Sequence, residues 1–538
     1  MAKKRAIEGT DLSKVTVKLK PFLGMVPGLY LTLLYALILI FVVFLLLFLP
    51  GIRHWGSQVS VRSTPGEAAV YVDGRYVGAT PESVFISGGN HDLSVRRPFY
   101  TAVDNRIDVG GRLFGSLFVP RRETFSYQLE LSDLPGMVKH TFTDFSKWAL
   151  VDRILPNYEL PPILQTAVSG AVESTNFSGR EDLWRLIESS MGDVNNQYLL
   201  KDFTAAVSAL AGTGATASPA QLLATLDASL KLGSAYPDLP LWLAHSLPEH
   251  ERTQFESSNE FARAKSSYLT RLSTFKATEG PGGGTVARVD GMRFIYVPGG
   301  SYIMGAPAGQ IPNSLDISLS DLPHIEKVDP YYMLSTEITH GEYAQFLAQN
   351  PTWAPNAETS LAASGLVTAN YLKGWDTYPG PDYPQDYVSF YAAQAFCEWL
   401  QKQLPPSLAG YVVRLPTQSE WEWAARMNVS PSASVFHDSY DSLQPAGTGA
   451  ADSLGIRDLL GSLWEWTSDW YLPTRSYLTS IDGSSSLADS LVGGAAEKAV
   501  RGGSWASAQD SITYTTRGSQ PPDWCTPYLG FRPIIARR

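Results

Sequence analysis

Cys397 and Cys525 are the only thiols in the 538-residue chain. A thiol can act as nucleophile, redox centre or soft-metal ligand, but only as thiolate. Two cysteines make no disulfide framework, and a single Cys397–Cys525 bridge is the most they could form. Cys397 sits in the helix-patterned run Tyr387-Val-Ser-Phe-Tyr-Ala-Ala-Gln-Ala-Phe-Cys-Glu-Trp-Leu400, where a buried packing role is expected. Cys525 lies in the proline-rich loop Pro521-Pro-Asp-Trp-Cys-Thr-Pro527, which could expose it, but a lone thiol is a weak catalytic candidate. Histidine adds little. His245-Ser-Leu-Pro-Glu-His250 lacks the His-Glu-x-x-His order, and Pro248 interrupts it, so a loop with two exposed histidines is expected. His91 and Asp92 flank a turn and read as surface residues. His324, His340 and His437 are scattered with no ligand spacing.

Four segments of the C-terminal half form an ordered pattern. They are Arg414-Leu-Pro-Thr-Gln-Ser-Glu-Trp-Glu-Trp-Ala-Ala-Arg426, Gly461-Ser-Leu-Trp-Glu-Trp466, Arg501-Gly-Gly-Ser-Trp505 and Gly530-Phe-Arg532. Thr417 and Glu420 have capping-box spacing and predict a helix start. Trp421, Trp423 and Ala425 would supply bulk and close approach, and Arg414, Arg426, Arg501 and Arg532 would need carbonyl or carboxylate partners. With Val297–Gly305, His324–Val328 and Glu337–Phe346 before them, these segments resemble the formylglycine-generating enzyme (sulfatase-modifying factor) family. The resemblance implies a compact α+β domain of C-type-lectin-like fold. It also implies an oxidation of a substrate cysteine by a copper-bound cysteine pair just after the Gly-Gly-Ser-aromatic motif. Here that stretch is Ala506–Thr516, with Ser507 and the Gln509–Ser511 region at the cysteine positions. Soft Cu(I) selects thiolates and a serine alcohol cannot replace them, so copper is not expected. A second branch of the family implies non-heme iron held by histidines, which here would have to converge in space. The family also implies calcium near the Trp-Glu-Trp motif, with Asp458, Ser462 and Glu465 as its candidate ligands.

With the chemistry vacated, recognition is the expected use of the site. Trp505–Ser511 and Gln520–Tyr528 combine rings (Trp505, Tyr514, Trp524, Tyr528) with short polar groups (Ser507, Gln509, Asp510, Asp523). That mixture suits a peptide or sugar. The proposed binding set is Trp505, Ser507, Asp510, Asp523, Trp524 and Tyr528. Trp505 is expected to fill the core and Trp524 to be exposed.

The elements preceding this domain set its location. Tyr30–Leu49 is almost purely apolar, and about 20 such residues span a bilayer core. Lys3, Lys4, Arg5, Lys14, Lys18 and Lys20 precede it. By the positive-inside rule the N-terminus stays cytoplasmic and the rest is exported. A cleaved signal peptide is the rival reading, disfavoured by the length of the run. Val59–Ser63 alternates, and Asp73-Gly74 joins two further alternating runs as a hairpin. Pro65-Gly66-Glu67-Ala68, Val72-Asp73-Gly74, Gly78 and Thr80-Pro81 resemble a PEGA domain, implying a small β-sandwich of bacterial envelope proteins. Helical stripes follow: Leu183, Leu186, Ile187 and Met191; Leu222, Leu226 and Leu230, opened by Ser218-Pro219 and closed by Gly233; then Phe261, Tyr268, Leu272 and Phe275. Gly280–Gly284 reads as a linker.

The expected organisation is multidomain α+β. It comprises a basic N-terminus (1–27), a transmembrane helix (28–50), a PEGA-like β-sandwich (59–131), a helical spacer (132–279) and the formylglycine-generating-enzyme-like domain (285–538). The net charge of −10 argues against nucleic-acid binding. The expected function is a membrane-anchored envelope protein whose last domain binds a protein or glycan partner or supports assembly. The alternatives are a metal-dependent oxidoreductase and a structural scaffold of an envelope complex.

Overall fold

A computed structural model describes residues 20–114, 116, 118–151, 160–212, 218–230, 239–279, 286–305, 323–426, 435–472 and 497–538. The Gly280–Gly284 run, Gly233 and the basic residues before Lys20 lie outside them. The chain divides into two compact units: Met1–Ser132 with Glu173–Asn176, and Asp133–Val172 with Phe177–Arg538.

The first unit opens with the helix Pro27–Arg53, long and apolar enough to cross a membrane by length and composition. Its side chains are exposed along nearly the whole length, and Gly51 is its one buried residue. A Cβ at Gly51 would overlap the Leu113 carbonyl, so only glycine lets that loop backbone lie against the helix.

Seven strands follow: β1 (Gly56–Thr64), β2 (Ala69–Val72), β3 (Arg75–Ala79), β4 (Glu82–Ser87), β5 (Gly89–Arg96), β6 (Val103–Val109) and β7 (Arg122–Gln128). They form two sheets, ordered β4-β1-β7 and β3-β2-β5-β6. Alternation places Val59, Val61, Val70, Leu93, Val95 and Ile107 in one shared core, as a period of two requires. Asp73 and Gly74 carry φ of 51° and 78°, the left-handed pair a two-residue hairpin turn needs. His91, expected at the surface, is half-buried. Its Nδ1 lies 2.7 Å from Asp73 Oδ2 and its Nε2 2.9 Å from the Ser87 carbonyl. The hydrogen bond to Asp73 raises its pKa.

The second unit begins with helices. Leu134–Ala149, Arg180–Ser190 and Gln197–Ala211 bury Phe142, Leu183, Leu186, Ile187 and Phe203. Pro219–Leu230 opens on the expected cap, where Ser218 Oγ accepts from the Gln221 N–H at 3.3 Å. Leu222 and Leu226 are buried, and Leu230 is half-buried. Phe261 and Tyr268 are buried on Asn259–Thr274, while Leu272 and Phe275 are half-buried. The His245–His250 stretch is not a loop. It joins the helices Leu239–Ser246 and Glu249–Glu256, and Pro248 caps the second. Proline fits that position because a helix start has no use for its missing N–H.

The C-terminal part has little regular structure and, among the described residues, three small sheets. Its strands are β8 (Thr278–Glu279), β9 (Val286–Val289), β10 (Met292–Val297), β11 (Gly300–Met304), β12 (His324–Val328), β13 (Tyr331–Leu334), β14 (Tyr411–Arg414), β15 (Trp464–Trp470), β16 (Lys498–Arg501), β17 (Arg517–Gln520), β18 (Leu529–Gly530) and β19 (Ile534–Arg537). The sheet orders are β14-β19-β13-β10-β9, β12-β11-β8 and β17-β16-β15-β18. Helices His340–Gln349, Phe390–Gln401 and Gln418–Arg426 pack around them, with Tyr343, Phe396, Trp399, Trp466 and Phe531 in one aromatic core.

Candidate functional site

The four motif segments build a frame of buried and half-buried ion pairs. Thr417 and Glu420 form the expected capping box: the Thr417 N–H donates to Glu420 Oε2 at 2.8 Å, and Thr417 Oγ1 accepts from the Glu420 N–H at 3.1 Å. Glu420 also takes a two-pronged Arg414 guanidinium at 2.7 Å on each oxygen. Glu422 is shared by Arg426, at 2.9 Å, and Arg501. Arg501 also donates to the Thr515 and Thr516 carbonyls, both at 3.0 Å. Arg532 grips Glu465 at 2.8–3.2 Å and the carbonyls of Leu334 and Arg457, while Trp421 Nε1 donates to Glu465 at 2.9 Å. Arg532 thereby ties its loop to strand β15, and Arg414 and Arg501 tie strands β14 and β16 to the helix Gln418–Arg426.

On this frame the two expected loops meet. Trp505 Nε1 donates to the Pro527 carbonyl at 3.2 Å, and its ring lies 5.5 Å from that of Tyr528. Trp505 is therefore half-buried, with one face on Tyr528, and is not core filling. Trp524 and Tyr528 are 47% and 42% exposed. Asp523 is half-buried and Asp510 exposed. The second loop is held from below, where the N–H of Tyr387 donates to Thr526 and that of Phe390 to Pro522. Ser507 turns inward: its Oγ accepts from the Ser504 N–H at 3.1 Å. Tyr514 departs from the groove, because the Arg426 guanidinium stacks on its ring at 4.7 Å.

Both thiols are free and buried. Burial pushes the Cys525 thiol up to about 11 and raises Cys397 further. Cys525 Sγ faces the Asp523 carbonyl at 3.5 Å, so the loop that could have exposed it hides it. Copper chemistry of the family's kind needs a thiolate pair, and these thiols do not fit it.

Asp458 and Glu465 have other partners. Asp458 accepts from the N–H groups of Gly447 and, at 2.7 Å, Gly449, and Glu465 is taken by Arg532 and Trp421. Asp458 and Ser462 have φ of 57° and 60°. That left-handed backbone is itself a reason for short polar residues at both positions. Among the described residues, no three His, Cys, Asp or Glu side chains form a metal-holding group. His324 Nε2 lies 3.2 Å from Glu326, and His340 stacks on Tyr378 at 4.2 Å with Nδ1 on Gln385 at 2.9 Å.

Three features escaped the sequence. Glu337 is fully buried, with no hydrogen bond to either carboxylate oxygen and Arg532 at 3.7 Å. Burial, then the neighbouring Asp458 charge, raises its pKa well above the carboxylate range; the Ser462 hydroxyl eases this but falls short of a hydrogen bond. Asp386 is buried, and desolvation pushes it up to about 7, with Tyr378 Oη 3.0 Å away. His437 and Asp438 flank the vacated loop: the His437 N–H donates to the Ser507 carbonyl, and Asp438 accepts from the Gln509 N–H at 2.6 Å. Residues about 70 apart in sequence meet only through tertiary structure, and no local pattern marks them.

Residues 284–537 match a sulfatase-modifying factor enzyme 1-like domain, and residues 56–113 match a PEGA domain. An uncharacterized protein of Borreliella burgdorferi is 23% identical over 438 residues, covering 78% of this chain and 81% of that protein. The hercynine oxygenase of Mycolicibacterium smegmatis is 28% identical over 262 residues, 42% of this chain and 58% of that enzyme. The chain thus spans little more than half the length of that relative. The formylglycine-generating enzyme of Streptomyces coelicolor is 24% identical over 294 residues, 44% of this chain and 87% of that enzyme.

Proposed function

We propose that this is a membrane-anchored, exported protein whose C-terminal domain recognises a peptide or glycan without transforming it. The carrying observation is the pairing of the two loops. They pair the rings of Trp505 and Tyr528, expose Trp524 and Asp510 and carry half-buried Asp523, while the second loop's thiol, Cys525, is buried. Rings on a scaffold held by buried arginines stack on a ligand at little ordering cost. Trp524→Ala and Asp523→Ala should each weaken binding on peptide and glycan arrays about tenfold or more, as loss of an anchoring side chain does. The melting temperature should stay nearly unchanged, because Trp524 faces solvent. Undiminished binding in both variants sinks the groove.

The named relatives favour a second reading, an oxidoreductase acting outside the cytoplasm. Incubating the domain with a Cys-x-Pro-x-Arg peptide, Cu(I) and oxygen separates the two. Conversion of the peptide cysteine overturns the non-catalytic reading.

The packing of Gly51 against Leu113 and of Phe48 on Phe114, 5.3 Å between ring centroids, supports a retained anchor over a cleaved leader. With the N-terminus cytoplasmic, protease outside spheroplasts should digest the chain beyond Arg53. Protection of that region reverses the orientation.

A further inference from the structure

The loop between β6 and β7 exposes apolar side chains at an unusual place. Leu113, Phe114, Phe118 and Val119 are 51%, 58%, 66% and 57% exposed. Such a cluster on a water-facing surface promotes association. Its base is firmly knit: Ser57 Oγ donates to the Gly110 carbonyl at 2.6 Å, and Arg112 Nη1 to the Val119 carbonyl at 3.2 Å. The Gln58 N–H donates to Arg121 at 2.8 Å. The loop is also docked on the apolar helix. Phe114 meets Phe48 edge to face, and Phe48 stacks on Phe44 at 4.7 Å.

Depth follows from helix geometry. At about 1.5 Å per residue, Phe48 lies roughly 8 Å inside the level of Arg53. The helix of 27 residues is about 40 Å long against an apolar bilayer core of about 30 Å. Phe114, packed on Phe48, is held at the same level, and the Arg112 backbone lies against Gly51, two residues before Arg53. Arg121 and Arg122 follow the loop, Arg121 pairing with Glu123 at 2.9 Å. Trp55, 42% exposed, occupies the position where interfacial aromatics settle.

We infer that the β6–β7 loop inserts Leu113, Phe114, Phe118 and Val119 into the leaflet where the Pro27–Arg53 helix ends, a second membrane contact that fixes the PEGA domain on the bilayer. This rests on the membrane-anchor reading. Lipid is the occupant because the apolar cluster is continuous with the exposed face of the helix through Phe48 and Phe114, and Arg53, Arg112 and Arg122 flank its segments in sequence, the cationic neighbours an interfacial insertion favours.

The test uses the full-length chain in phosphatidylcholine–phosphatidylglycerol vesicles. An environment-sensitive fluorophore is placed through Phe114→Cys, Phe118→Cys, Leu37→Cys or Tyr76→Cys, the two native thiols being buried. Labels at 114 and 118 should show blue-shifted emission and lose intensity to lipids carrying a nitroxide near the headgroup, as Leu37→Cys does with a deeper nitroxide. Tyr76→Cys, on an exposed strand, should not respond. Blue-shifted but unquenched labels at 114 and 118 would mean a protein partner covers the loop, and water-like emission would mean nothing does. Either result overturns insertion while leaving the anchor intact, provided Leu37→Cys is quenched. An unquenched Leu37→Cys removes the anchor reading and the insertion with it.

Discussion

Arg532→Met should destabilise the C-terminal domain by about 3–5 kcal/mol, the usual result of stripping one partner from a buried ion pair. Arg532 is fully buried and serves Glu465, Glu337 and two backbone carbonyls at once. Its removal strands the Glu465 charge with Trp421 Nε1 as its remaining side-chain donor among the described residues. Urea unfolding followed by tryptophan fluorescence measures the loss. Glu465→Gln introduced into the same chain should recover much of it, because no stranded charge then remains. Glu337→Gln alone should change stability little, since burial already favours the neutral carboxyl there. A loss below about 1 kcal/mol for Arg532→Met, the range of exposed pairs, would mean that water reaches the network.

The motif arginines show what a sequence discloses. Their type and spacing announced buried charges needing carboxylate or carbonyl partners, and Arg414, Arg426, Arg501 and Arg532 each have them. The Asp73-Gly74 hairpin and the Thr417–Glu420 cap were equally readable, because both are local rules within four residues. The site was readable in part. The proline-rich loop marked Trp524 as an exposed ring, but Trp505 and Tyr514 exchanged roles. A half-buried Trp505 and an arginine-capped Tyr514 depend on Pro527 and Arg426, which approach from other segments. Cys525 went inward for a similar reason: a proline-rich loop can turn either face to the core, and the bond from its N–H to Thr368 Oγ1, 3.2 Å, decides which. Glu337 and Asp386 were illegible, because burial is a property of the whole fold.

Those two unread carboxyls and one lysine should shape how stability depends on pH. Asp386 is displaced from 3.8 to about 7 by burial, worth roughly 4 kcal/mol at about 1.4 kcal/mol per pH unit. Between those values the folded chain holds a proton that the unfolded chain releases, so stability is full below about pH 4 and falls as pH rises toward 7. Lys498 works in the opposite sense. It is 5% exposed, its ammonium lies 4.0 Å over the Trp470 ring, and burial lowers it from 10.5 to about 8. Between those values the unfolded chain holds the extra proton, so stability rises with pH. The urea midpoint of the C-terminal domain should therefore pass through a minimum between about pH 7 and 8, with higher values on both sides. Asp386→Asn, which keeps an acceptor for Tyr378, should flatten the acid limb. Lys498→Met should flatten the alkaline one. An acid limb as steep in Asp386→Asn as in the parent would assign the proton to another buried carboxyl, with Glu337 the first to replace.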